Sequence, residues 1–168
     1  VSAGKENIEQ LINALAQKLL IYFHLFEKTE NQLYNDLMYG DIQTGLQLVE
    51  DHGISGQSKA VMLLRTGDYY LHKDQPQKAV DYFALAIQFI DPAKKAEYAE
   101  YLNKWGYAEA LSGDITSGQL KIETAEKMIE SDEALRPFHK LIISSGIAMR
   151  LAHCYFLAGD SAQAIEHF

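Results

Sequence analysis

The chain has 168 residues, 48% of them hydrophobic and only three prolines, which excludes a disordered segment and predicts one domain with a real core. A net charge of -8 argues against direct nucleic-acid binding by this chain, because a phosphate backbone calls for a cationic face. The single cysteine, Cys154, allows neither an internal disulfide nor a cysteine-rich metal site.

In chain order, the first predicted element spans 5–28. Ile8, Ile12, Leu15, Leu19, Tyr22 and Phe26 follow one another at intervals of 4, 3, 4, 3 and 4, a continuous helical stripe. It reads as a long capping or linker helix. The same spacing fits a short heptad run, so a homo-oligomer through this helix is the alternative. Residues 29–54 read as a degenerate pair of short helices, 30–39 and 44–52, around a turn at Gly40-Asp41. Residues 59–92 give the clearest pair, helices 59–72 and 76–90. Pro76 suits a first helical turn, where its missing amide hydrogen has no acceptor to lose. A third unit, 93–131, places Gly113-Asp114 between its helices, and a fourth, 137–168, places Gly159-Asp160 there. The turn positions Asp74, Gly113 and Gly159 are separated by 39 and 46 residues. The chain lacks an initiating methionine and stops at Phe168 inside an expected helix, so a longer protein is expected. With no apolar run of 18 residues and no signal-peptide core, a soluble, cytoplasmic protein without membrane insertion is expected.

Between Gly67 and Pro92, the residues Gly67, Tyr70, Ala79, Phe83 and Ala86 are spaced 3, 9, 4 and 3 apart. Two helices meeting at a short turn need small residues where backbones approach and aromatics where the gap must be filled. The pattern resembles a tetratricopeptide repeat. Gly106, Gly118 and Ala125 repeat it, as do Ala152, Tyr155, Ala164 and Phe168, and Gly45 takes the small position in the degenerate unit. The resemblance implies an all-α fold of antiparallel helix pairs stacked as a right-handed superhelix, an α-solenoid. It also implies a protein- or peptide-binding scaffold without catalytic activity or cofactor.

In that family the first helix of each pair lines a concave groove. By position this puts Leu64, Arg65, Asp68 and His72 on the groove, then Asn103, Lys104 and Tyr107, then Met149, Arg150 and His153. Arg65, Lys104 and Arg150 hold the same place in three successive helices and would form a cationic ladder for acidic side chains or a terminal carboxylate. Asn103 would pair with ligand main chain. The alternative is that the three cations face water or pair with Asp68 and Glu109. The family's carboxylate-clamp pattern for chaperone tails is absent, since Leu64 and Asp68 stand where Lys and Asn are expected. The lengthened repeats also resemble the ligand-sensing domains of bacterial transcriptional regulators, which bind a short signalling peptide and follow a DNA-binding domain. The helix over 5–28 would then be the linker.

No enzyme is spelled. His24, His52, His72, His139, His153 and His167 show no metal-ligand spacing, and Glu27, Glu30 and Asp36 suit a solvated face. Gly40, Gly45, Gly53 and Gly56 follow no strand and make no phosphate loop. Ser144-Ser145-Gly146 reads as small residues for close helix packing. Cys154, within LAHCYFLAG, is expected to be a buried small apolar residue. Tyr69, Tyr70, Tyr82, Tyr98 and Tyr101 are expected to pack between helices, leaving Tyr107 for the groove.

Overall fold

The computed structural model describes residues 2–167, and all its regular structure is helical. The helices are α1 (Ser2–Thr29), α2 (Gln32–Asp51), α3 (Gln57–His72), α4 (Pro76–Ala86), α5 (Lys95–Leu111), α6 (Ile115–Glu130), α7 (Pro137–Leu157) and α8 (Ser161–Glu166). A 3-10 turn, Ile87–Phe89, follows α4. Short connections make four pairs, α1/α2, α3/α4, α5/α6 and α7/α8, and each pair packs against the next in the chain.

Each pair turns through one residue in the left-handed region: Glu30 (φ 53°), Asp74 (φ 54°), Gly113 (φ 108°) and Gly159 (φ 81°). That conformation turns the next amide back onto the helix just completed. Gln75 donates to the Tyr70 carbonyl, Asp114 to Glu109 and Asp160 to Tyr155, at 2.9, 3.0 and 2.9 Å. The Asp114 and Asp160 carboxylates then accept from the Ser117 and Gln163 amides and start the second helices.

The left-handed residue sets a register. Five residues beyond it lie Asn35, Ala79, Gly118 and Ala164, all buried. Seven residues before it lie Phe23, Gly67, Gly106 and Ala152. In the second pair a Cβ on Gly67 would strike the Phe83 ring. In the third the helices cross so closely that a Cβ on Gly106 would lie 2.6 Å from the Gly118 carbonyl oxygen. The first pair has Phe23 and Asn35 at the crossing instead of small residues.

That substitution hides the first pair from sequence, and two expectations change. The turn expected at Gly40-Asp41 is absent: α2 runs unbroken from Gln32 to Asp51. One exposed glycine costs a helix only about 1 kcal/mol. Burial of Met38, Ile42 and Val49 against α1 and α3 outweighs that, and Asp41 pairs with Lys18 of α1 at 2.8 Å. The unit over 29–54 is therefore one helix. Its partner is α1, which packs on it and on α3. The α1 stripe is used up inside the molecule, with Ile12 and Leu19 fully buried and Ile8, Tyr22 and Phe26 packed on the same cluster. No dimer seam is left on that face.

A larger core joins α3 through α7, with Phe83, Ile122, Ile129 and Ile147 fully buried and Tyr101 nearly so. The apolar surface that stays open is concentrated on α7 and α8: Phe138, Leu141, Ile142, Met149, Phe156 and Ile165 are all more than half exposed. Ser145 is exposed there too, and only the Arg150 side chain comes within 4.0 Å of a Cβ built on Gly146. Ser145 and Gly146 therefore do not serve the close helix packing expected of them. Among the described residues no helix is long and apolar enough to cross a membrane.

Candidate functional site

The first helices α1, α3, α5 and α7 meet at three successive junctions. At α1–α3 lies a polar concavity of about 510 Å³, lined by Glu9, Asn13 and Gln17 of α1 and by Ser55, Gln57 and Ser58. The Asn13 and Gln17 amides and two hydroxyls offer both donors and acceptors there, while the Gln57 amide donates to Glu97 at 3.0 Å.

The α3–α5 junction is closed by charge. α3 and α5 approach less closely than α1 and α3 or α5 and α7, and long side chains span the gap. Lys104 Nζ donates to both Asp68 oxygens, at 2.6 and 2.8 Å, and Arg65 Nη1 donates to Asp68 Oδ2 at 2.9 Å. All three side chains are only 12–16% exposed. Such charge-assisted bonds in a poorly hydrated place are strong, and removing Asp68 would strand two cations at a cost on the order of 3 kcal/mol. Tyr101 lies beside the cluster, where burial drives its phenol well above the usual tyrosine range and keeps it neutral.

At α5–α7 a concavity of about 410 Å³ is lined by Tyr107, Met149, Arg150 and His153. Tyr107 Oη and His153 Nδ1 are hydrogen-bonded at 2.8 Å, with the direction following the imidazole tautomer. The Arg150 guanidinium lies 5.8 Å from the Tyr107 ring centroid, a cation–π contact. Burial raises the Tyr107 phenol, and the Arg150 charge works against that rise. Met149 is 58% exposed at the rim.

The positions named from sequence thus divide. Tyr107, Met149, Arg150 and His153 come together in one concavity. Arg65, Asp68 and Lys104 come together as a closed ion cluster, so the expected three-cation ladder is reduced to Arg150. Glu109 pairs with Lys121 at 2.6 Å, not with a ladder cation. Asn103 differs from expectation: it is 3% exposed, too buried to pair with ligand main chain in this structure. Leu64 is core at 2% exposed. His72 packs edge-on against Phe23 and Phe26 of α1, at 5.7 and 4.8 Å between ring centroids, and burial lowers its pKa below 6.5. It belongs to the α1–α3 contact and not to a groove.

The α1–α3 concavity escaped sequence reasoning. Its signal was Glu9, Asn13 and Gln17 at intervals of four, which an amphipathic helix shows equally on any solvated face. Cys154 is fully buried, and that burial pushes its thiol up to about 11, so it stays protonated and unreactive at neutral pH. No three His, Cys, Asp or Glu side chains gather as a metal site among the described residues. No family model matches the chain, and no curated protein does either.

Proposed function

We propose that this chain is a tetratricopeptide-like binding scaffold that does no chemistry and takes a peptide or protein segment along the face built by α1, α3, α5 and α7. One observation carries this most. At two of the three junctions, α3–α5 and α5–α7, the residue six before the turn reaches the residue nine before the next turn. Asp68 reaches Lys104, and Tyr107 reaches Arg150. A repeated side-chain lattice on one face suits a ligand that is itself a repeating chain, and serial packing of pairs suits a solenoid. The amide-lined α1–α3 concavity supplies partners for main-chain groups, and the α5–α7 concavity supplies an apolar wall with one cation. The alternative, a ligand-sensing domain of a bacterial transcriptional regulator that binds a short signalling peptide, rests on the lengthened repeats and would use the same face.

A peptide array probed with the 168-residue chain, its hits mapped by backbone amide shifts, tests the proposal. Hits that perturb Asn13, Gln17, Tyr107 and Met149 are expected. Hits confined to α2, α4 and α6, or none, would overturn it.

A further inference from the structure

Resting on the peptide-binding face just described, we propose that Arg150 is its anion-recognition point. It takes one carboxylate next to an apolar side chain, and Asp68 is the residue that confines anion recognition to this end of the molecule. Three cations occupy equivalent helix positions, but their surroundings differ. Arg65 and Lys104 both spend their charge on Asp68, within 2.9 Å. Arg150 has no carboxylate within ion-pairing distance among the described residues.

The surroundings of Arg150 suit a ligand. Its guanidinium carbon lies 5.8 Å from the Tyr107 ring centroid, within cation–π reach. One turn earlier on α7 stands Gly146, where a Cβ would meet nothing within 4 Å except Arg150 Nη1. No side chain of residue 146 stands beside the guanidinium. Met149 and Tyr107 give an apolar wall beside it, and the bond to His153 fixes the Tyr107 ring. A lone guanidinium in a protein of net charge -8 matches a monoanion. A phosphate dianion calls for several cationic donors, and the other two are engaged.

A carboxylate reaches such a place from a chain terminus or from an Asp or Glu side chain, and three probe peptides separate these. They are acetyl-Gly-Ala-Leu-Leu as the free acid, the same peptide as the amide, and acetyl-Gly-Ala-Asp-Leu as the amide. The readout is the ε-methyl NMR signal of Met149 in methionine-labelled chain, with the fully buried Met38 and Met62 as internal references. At least one carboxylate peptide should bind at least about tenfold more tightly than the neutral amide, as one charge-assisted bond allows. Whichever it is names the source. Arg150→Gln should erase that preference, while Arg65→Gln and Lys104→Gln leave it. Asp68→Asn should raise affinity for peptides with two acidic residues by freeing two cations. If Asp68→Asn loses its helical signal, the comparison of Arg150→Gln with Arg65→Gln decides. Equal binding of the neutral amide, a preference that survives Arg150→Gln, or no Met149 shift at millimolar peptide would each overturn the inference. Array hits on the first-helix face that ignore Arg150→Gln would remove this inference and leave the wider proposal standing.

Discussion

The α5/α6 and α7/α8 pairs turn alike, through Gly113-Asp114 and Gly159-Asp160, and bury the same register position, yet they end in opposite states. In α5/α6 the helices touch at Gly106 and Gly118, and Ile122, Ala125 and Ile129 are fully buried. In α7/α8, among the described residues, Ala164 is buried but Ile165 is 76% exposed. Local signals start and stop a helix pair. What determines its stability is whether a neighbouring pair covers its outer face, as α7 covers α6.

The strongest way to break this contrast is Gly106→Val. Its branched side chain has nowhere to go with the Gly118 carbonyl 2.6 Å from the Cβ position, so the helices must part. A loss of about 3 kcal/mol or more is expected in chemical denaturation. The matched substitutions Ile122→Ala and Ile165→Ala sharpen it. The first empties a fully buried site and should cost about 2–5 kcal/mol, the second less than about 0.5. Similar losses at the two sites would sink the idea that coverage decides.

The α1–α3 contact gives a pH version. Burial lowers the His72 pKa from 6.5, so the unfolded chain binds the proton more readily. Stability from this contact is whole above about pH 6.5 and is lost as pH falls through the lowered folded value. Melting temperature should therefore drop on acidification in the native chain. His72→Phe should reduce that drop, and an unchanged pH profile would refute the role. The smallest effect has the opposite sign: Gly40→Ala, exposed in mid-helix with nothing within 4 Å of the new methyl, should stabilise by about 0.5–1 kcal/mol in the same denaturation measurement. Loss of stability there would mean that α2 bends at Gly40.

Sequence disclosed the three pairs from residue 57 onward because their crossings need small residues, and small residues at fixed offsets from a turn are visible. The first pair stayed hidden because Phe23 and Asn35 stand at its crossing and Glu30, not glycine, takes its left-handed turn. The glycine in α2 drew attention to Gly40, where nothing turns. For the site, equivalence of helix positions grouped Tyr107, Met149, Arg150 and His153. Equivalence could not tell a free cation from a neutralised one, because Asp68 and Lys104 are 36 residues apart and only the spacing of α3 and α5 brings them together. Nor could it show that Asn103, at a groove position by analogy, is buried.

Serial packing has a consequence for how occupancy would be felt. Among the described residues α8 packs on α7, and in the 168-residue chain its amides should exchange hydrogen early, by opening while the other helices hold. Tyr107 and Arg150 belong to different pairs, so a ligand held between them adds its binding energy to the α5–α7 seam. Opening that seam would require releasing the ligand, by ordinary mass action. Slower exchange of the α7 amides that open with the seam, with α8 exchange unchanged, would then report occupancy.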